Sequence, residues 1–253
     1  MKTADRTLRV FEGFSELGRP ATLSELARYL SIPVSSCYGL LRALEERGYV
    51  YAVEPRSTYF PTARLMQVAR RIADSDPLGA KVAPALRKLR DETGETVVLA
   101  KRRDTEVVFL DVLESPSTIR YVARVGETRE LHATSLGRAL LSLVPAGERA
   151  ALLRRLAYRR LTARTAASQK AVEAAIAAGE ARGAFLNFGE SVPDLYAIAC
   201  PVVVDGKPYA VAVIGPGKRI EDNQKRLVSA LQKACRSIAD PAAKLTRTGG
   251  GQT

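Results

Sequence analysis

Apolar positions in the first sixty residues recur at helical spacing and then switch to alternation. Leu8, Phe11, Phe14, Ser15 and Leu17 lie near a 3.6-residue period over 5–18, which predicts an amphipathic helix ending at Gly18 and broken by Pro20. A second helix is predicted over 22–30. Thr22 caps it, Glu25 three residues on completes a capping box, and Leu23, Leu26, Ala27 and Leu30 line one face. Ser31, Ile32 and Pro33 form a short turn. A third helix then runs over 34–47, with Cys37, Leu40, Leu41 and Leu44 inward and Gly48 at the C′ position. Residues 49–53 and 58–60 are β-prone and flank the turn-forming residues 54–57, so a hairpin is predicted next. Two short helices across a tight turn, then a hairpin, describe a winged helix-turn-helix.

Downstream, Leu65, Val68, Ala69 and Ile72 share a face of one helix that stops at Pro77. Such a stripe packs on its own domain or pairs with a second copy, and pairing suits a reader of palindromic DNA. A helix over 78–92 and strands over 96–101, 106–112 and 118–123 follow. Helices are expected over 135–143, 146–156 and 168–181, strands over 184–188, 197–204 and 208–214, and a last helix over 221–239. Asp205-Gly206 is a two-residue hairpin signal. The expected class is α+β, with a mixed, mainly antiparallel sheet in the second domain. The boundaries read as 1–61 for the winged helix, 62–77 for a linker helix, 78–245 for the second domain and 246–253 for a disordered tail.

Composition adds constraints. Of 253 residues, 46% are apolar and 26% charged, ordinary for a globular chain with room for two domains. No apolar run is long enough for a membrane span, and the N-terminus lacks a signal-peptide pattern, so a cytoplasmic location and no membrane partner are expected. Cys37, Cys200 and Cys235 are far apart, and His132 is the single histidine, so neither a metal nor another cofactor is expected. The net charge of +12 favours a polyanionic partner. Residues 1–75 hold 11 Lys and Arg against 8 Asp and Glu, so charge alone does not locate that partner's site. The densest basic stretch is 147–170, where Arg149, Arg154, Arg155, Arg159, Arg160, Arg164 and Lys170 face Glu148 alone. It reads as a solvated face or as a contact for flanking DNA or an acidic partner.

Residues Thr22 to Ala27 and Ser35 to Tyr49 closely resemble the winged helix of the IclR family of bacterial regulators. The segment from Leu131 to Leu141, together with Gly126, resembles the opening of that family's effector domain. Arg182-Gly183, Gly189-Glu190-Ser191, residues 197–202 and Gly215-Pro216 match later landmarks in order. The resemblance implies a GAF-like effector domain and a homodimer or dimer of dimers. It also implies binding of a palindromic operator in double-stranded DNA, under control of a small-molecule effector.

The DNA contacts so implied are Val34, Ser35, Ser36, Tyr38, Gly39 and Arg42 on the recognition helix, with Arg28 before it and Arg56 at the wing tip. Family helices often carry basic residues where Val34 and Gly39 stand, so phosphate anchoring falls more on Arg28, Arg42 and Arg56. The effector positions so implied are Leu131, His132, Ser135, Leu136, Asn187, Ala197, Ala212 and Ile214. The last four replace a carboxylate, a thiol and two hydroxyls common in the family. That loss of polarity points to a bulkier, partly apolar effector such as an aromatic carboxylate, since an unpaired short acid would be costly to bury. His132 reads either as a ligand donor or as a structural histidine. No nucleophile elbow or nucleotide fingerprint is present, so an enzyme is not expected. A dimerising regulator without effector sensing is the alternative.

Overall fold

The computed structural model describes residues 2–53 and 58–239. The expected wing-tip turn at 54–57, with Arg56, and the tail at 246–253 lie outside the described residues. The chain divides into two compact units, Met1–Pro77 and Leu78–Thr253.

In the first unit α1 is Lys2–Leu17, α2 Leu23–Leu30 and α3 Val34–Glu46. The capping box forms as spelled: Glu25 N donates to Thr22 Oγ1 at 3.2 Å and Thr22 N to Glu25 Oε2 at 2.8 Å. Ser31, in left-handed conformation at φ 54°, turns the chain between α2 and α3. A Schellman closure ends α3, with Gly48 N on Glu45 O and Tyr49 N on Leu44 O, both at 2.8 Å, and Gly48 at φ +72°. Val10 and Phe14 of α1, Leu26 and Leu30 of α2, and Cys37, Leu41 and Leu44 of α3 make one core. Leu8 is 65% exposed, so the buried stripe of α1 sits two residues from where the spacing began it.

The hairpin is β2 (Val50–Val53) and β3 (Thr58–Pro61). A two-residue strand, β1 (Ala21–Thr22), pairs with the far side of β3 to give the order β1-β3-β2. Its shortness hid it from periodicity. Helix α4 (Arg64–Asp74) buries none of its residues.

Glu25 also pairs with Arg19 at 2.7 Å. That bond, first, and the two bonds from Thr22 hold its carboxyl near about 2, against 4.5 ordinarily. A depressed folded value means that the contribution is complete above 4.5 and is lost as pH falls through about 2. Thermal denaturation of Glu25→Gln should therefore show a flatter decline than wild type across that window. Parallel curves would refute the assignment.

In the second unit α5 (Pro77–Thr93) leads into β4 (Thr96–Arg103) and β5 (Glu106–Leu113). Then come β6 (Thr128–Glu130), α6 (Ser135–Ser142), α7 (Ala146–Arg154), α8 (Gln169–Arg182) and β7 (Phe185–Phe188). The chain closes with β8 (Leu195–Val204), β9 (Lys207–Pro216), α9 (Gly217–Asp222) and α10 (Gln224–Ile238). The six strands run β6-β5-β4-β9-β8-β7, and every ladder is antiparallel. Side chains of the central strands alternate between two cores. Val98 and Ala100 of β4 and Ala210, Ala212 and Ile214 of β9 face the α6–α8 side. Val97 and Leu99, with Val211 and Val213, face α5 and α10. Asp205 and Gly206 both take positive φ, 50° and 69°, at the β8–β9 turn.

Two expectations are corrected. Residues 118–123 form no strand; on that side of β5 the ladder is made by Thr128–Glu130, paired with Glu106–Val108. Their β-prone residues are used otherwise: Ile119 and Val122 are exposed, and Tyr121 turns inward. The expected helix at 221–239 is two helices, interrupted at Asn223, whose Nδ2 donates back to Arg219 O at 2.9 Å.

Candidate functional site

On the first unit, packing Cys37, Leu41 and Leu44 inward leaves the opposite face of α3 in solvent. Val34 and Tyr38 are about half exposed, at 49% and 48%. Ser35, Ser36, Gly39 and Arg42 are exposed beside them, and Arg28 is exposed in the last turn of α2. Arg42 pairs with Glu46 at 3.0 Å, one turn on. Both ends of that pair are exposed, so it is weak and a phosphate can compete for the guanidinium. A Cβ at Gly39 would meet nothing within 4 Å, so this helical glycine leaves a gap in the surface and is not a packing requirement.

The second unit has a cleft between the sheet and the start of α6. Its wall is built by Phe109 of β5, Arg129 of β6, Asn187 of β7, Leu195 and Ala197 of β8 and Ile214 of β9. Thr134, Ser135 and Leu136 close it from the helix side, with Tyr121 and Ser191 coming from loops. As it stands the space is about 30 Å³, enough for a water or two. An organic ligand must therefore open it.

Of the expected effector residues, Ser135, Leu136, Asn187, Ala197 and Ile214 line this cleft. Leu131, His132 and Ala212 do not. Leu131 and Ala212 are core residues at 0% exposure. The ring of His132 is walled in, with Nε2 2.9 Å from Arg159 O and Nδ1 3.3 Å from Glu130 Oε2. That is the structural of its two readings. Asn187 lines the cleft with its amide already committed. Its Nδ2 donates to Ala133 O at 2.5 Å, and its Oδ1 accepts from Glu190 N at 3.1 Å.

Phe109, Tyr121, Arg129, Thr134, Ser191 and Leu195 were not among the effector positions expected from the sequence, although Thr134 and Ser191 stand in its landmark segments. Tyr121 lies in a stretch that reads as a strand and enters the cleft from a loop, while Arg129 is placed there by the pairing of β6 with β5. The Tyr121 hydroxyl is raised above its ordinary value by burial, a rise opposed by the neighbouring Arg129. The orphan N–H groups of the first turn of α6 add positive potential beside the cleft. Thr134 caps that turn, its Oγ1 accepting from Gly137 N at 3.0 Å.

Beneath the cleft Arg138 of α6 pairs with Glu190 at 2.6 Å, the arginine side chain 4% exposed and the glutamate 14%. Thr162 and Thr165 hydroxyls hold the carbonyls of Gly189 and Glu190 at 2.7 Å, fixing the loop that carries Ser191. The basic stretch 147–170 is largely committed within the unit. Arg149 pairs with Glu180, Arg155 with Asp104 and Arg159 with Glu130, while Arg164 donates to the Tyr196 hydroxyl. Cys37 and Cys235 are core thiols. Burial raises the first, and a hydrogen bond with Cys200, then burial, raises the second well above the ordinary value.

Two family profiles match the chain. One describes the "IclR helix-turn-helix domain" and covers residues 3–54. The other describes the "Bacterial transcriptional regulator IclR C-terminal" and covers residues 71–240. The acetate operon repressor of Salmonella typhimurium is 28% identical over 228 residues, 88% of this chain and 83% of its own. The Thermotoga maritima IclR structure shares the fold at a TM-score of 0.79 and 20% identity, covering 93% of this chain and 96% of that one. An IclR homologue of Microbacterium hydrocarbonoxydans, solved with 4-hydroxybenzoate, overlays at a TM-score of 0.70 and 22% identity, covering 92% and 95%.

Proposed function

We propose, for a chain that belongs to the IclR family of bacterial transcriptional regulators and is a DNA-binding regulator and not an enzyme, that it binds a palindromic promoter operator as a dimer and is controlled by an aromatic or other partly apolar carboxylate. The observation that carries the effector half is the cleft, where Phe109, Leu136, Leu195 and Ile214 surround a small set of polar groups that includes a guanidinium. The Microbacterium relative bound to 4-hydroxybenzoate supports the same ligand class.

The DNA half rests on the exposed face of α3. Ser35 and Ser36 lead it into the major groove, with Tyr38 and Arg42 following. Dimerisation fits α4, whose stripe is incompletely covered, with Leu65 and Val68 half-buried and Ala69 and Ile72 exposed.

The test is protection of DNA upstream of the protein's own gene, repeated with benzoate, 4-hydroxybenzoate and short keto acids. An aromatic acid should change occupancy. Thermal stabilisation by short keto acids alone would refute the ligand class. A palindrome bound identically with every compound would favour a regulator without effector sensing.

Gly39→Lys gives a second expectation. The new side chain has room, and helix propensity favours it by about 1 kcal/mol. It restores a cation facing DNA, so the slope of log affinity against log salt should steepen by about 0.9. An unchanged slope in fluorescence-anisotropy titrations would place Gly39 away from phosphates.

A further inference from the structure

A balance of polar groups around the effector cleft leaves one cation with donors to spare, beside the hydroxyls of Ser135 and Ser191. Asn187 is committed at both ends, and Thr134 caps α6 while donating to Glu130 O. Arg129 is different. Its Nη1 donates to Thr128 O and its Nη2 to the Tyr121 hydroxyl, both at 3.1 Å. It also forms an ion pair with Glu127. A guanidinium has five N–H donors in a planar fork, so these contacts do not exhaust it.

Glu127 is held for this role. Its Oε2 accepts from Arg124 N at 2.9 Å, across a turn in which Gly126 takes φ +84°. A carboxylate of the chain itself thus already sits on the one guanidinium of the cleft wall. Tyr121, the other group on Arg129, comes from the 114–127 segment, which joins the sheet through the backbone bonds of Phe109 with Gly126 and Glu127 and through Thr96 of β4, whose Oγ1 donates to Tyr121 O at 2.7 Å. The remaining walls are ladder-bonded strands, α6 and the loop of Ser191, which Thr162 and Thr165 hold. The 114–127 segment, outside the ladders, is the part that bonds Arg129.

We infer that Arg129 is the carboxylate anchor of the effector cleft, and that Glu127 is the internal carboxylate a bound acid displaces from it. An incoming anion recovers the charge-assisted bonds that Glu127 gives up, and the first turn of α6 favours the same charge. A neutral amide of equal shape cannot replace Glu127 on a guanidinium. Displacement also frees the turn at 124–127 and the Tyr121 hydroxyl, linking occupancy to the movement that a 30 Å³ cleft requires. This inference rests on the reading of the cleft as an effector site and assigns that site its charge selectivity.

The experiment is isothermal titration of the full chain with benzoate, 4-hydroxybenzoate and phenylacetate, each beside its amide. Wild type should prefer the acid by about 10–100-fold, the range for a charge-assisted bond. Arg129→Gln should abolish most of that preference, and Arg129→Lys should keep part of it. Glu127→Gln should tighten acids several-fold and leave amides unchanged. Melting temperature and ligand-free DNA affinity of each variant report folding. If Arg129→Gln fails to fold, the acid-to-amide ratios of Arg129→Lys and Glu127→Gln decide. Wild-type acid preference in Arg129→Gln, or equal tightening of acids and amides in Glu127→Gln, overturns the inference while leaving the effector site standing. Binding of no compound by wild type overturns both.

Discussion

Arg138→Met is expected to destabilise the effector unit by about 3–5 kcal/mol, the cost of stranding one member of a buried ion pair. The arginine side chain is 4% exposed and Glu190 14%, so the stranded carboxylate has little access to water. At about 2–4 °C per kcal/mol for a unit of this size, the melting temperature should fall by at least about 6 °C. The double variant Arg138→Met with Glu190→Leu should recover most of the loss, because a matched apolar pair strands nothing. If the single and double variants melt alike, the pair is not coupled. The consequence for function is specific. Glu190 lies in the loop that carries Ser191 to the cleft, and Arg138 lies on the helix whose first turn closes it. The single variant should lose its effector response at temperatures where it still binds DNA, since the winged helix has its own core.

The second large effect is expected from a single methyl group. In Gly137→Ala the new Cβ would lie 2.1 Å from Leu131 O and 2.6 Å from Leu131 C and Cα. The obstacle is main chain, which cannot swing aside as a side-chain tip would, so overpacking should cost about 3 kcal/mol. Relief would require α6 to lift away from the 131–134 segment, carrying Ser135 and Leu136 with it. Calorimetry should show the effector unit melting lower, and titration should show weaker acid binding even when the protein is folded. A folded variant with wild-type melting would mean that the approach of α6 to Leu131 is looser than the structure has it. Gly179, whose Cβ would lie 2.3 Å from the Phe185 ring, is the contrasting case, because a side chain is its obstacle.

Much of the first unit was legible because its determinants are local. Thr22 and Glu25 are three residues apart, and their bonds form within one turn. Gly48 ends α3 through bonds to Leu44 and Glu45. The exposed face of α3 follows from which residues its leucines do not occupy. What was missed there, β1, is two residues long and exists only because β3 passes beside it.

In the second unit most strands and helices, though not β6, could be read from alternation and periodicity, and Asp205-Gly206 announced its own turn. Family resemblance brought Ser135, Leu136, Asn187, Ala197 and Ile214 to a common place, and they do line one cleft. The sequence pattern does not carry the partners of a side chain. Asn187 counts as a polar group of the cleft, yet its amide is spent on Ala133 and Glu190. His132 is closed in by Arg159 and Glu130, 27 residues apart in one case and 2 in the other.

The chain by itself therefore determined a winged helix-turn-helix in front of an α+β unit, because capping, turn chemistry and hydrophobic period act over a few residues. Only the tertiary structure decided that the cleft keeps a cation. Residues 118–123 look like a strand, yet β6 pairs with β5, and Tyr121 and Arg129 meet beside Ser135. Which segment pairs with β5 is settled by long-range contacts, and no local preference records the outcome.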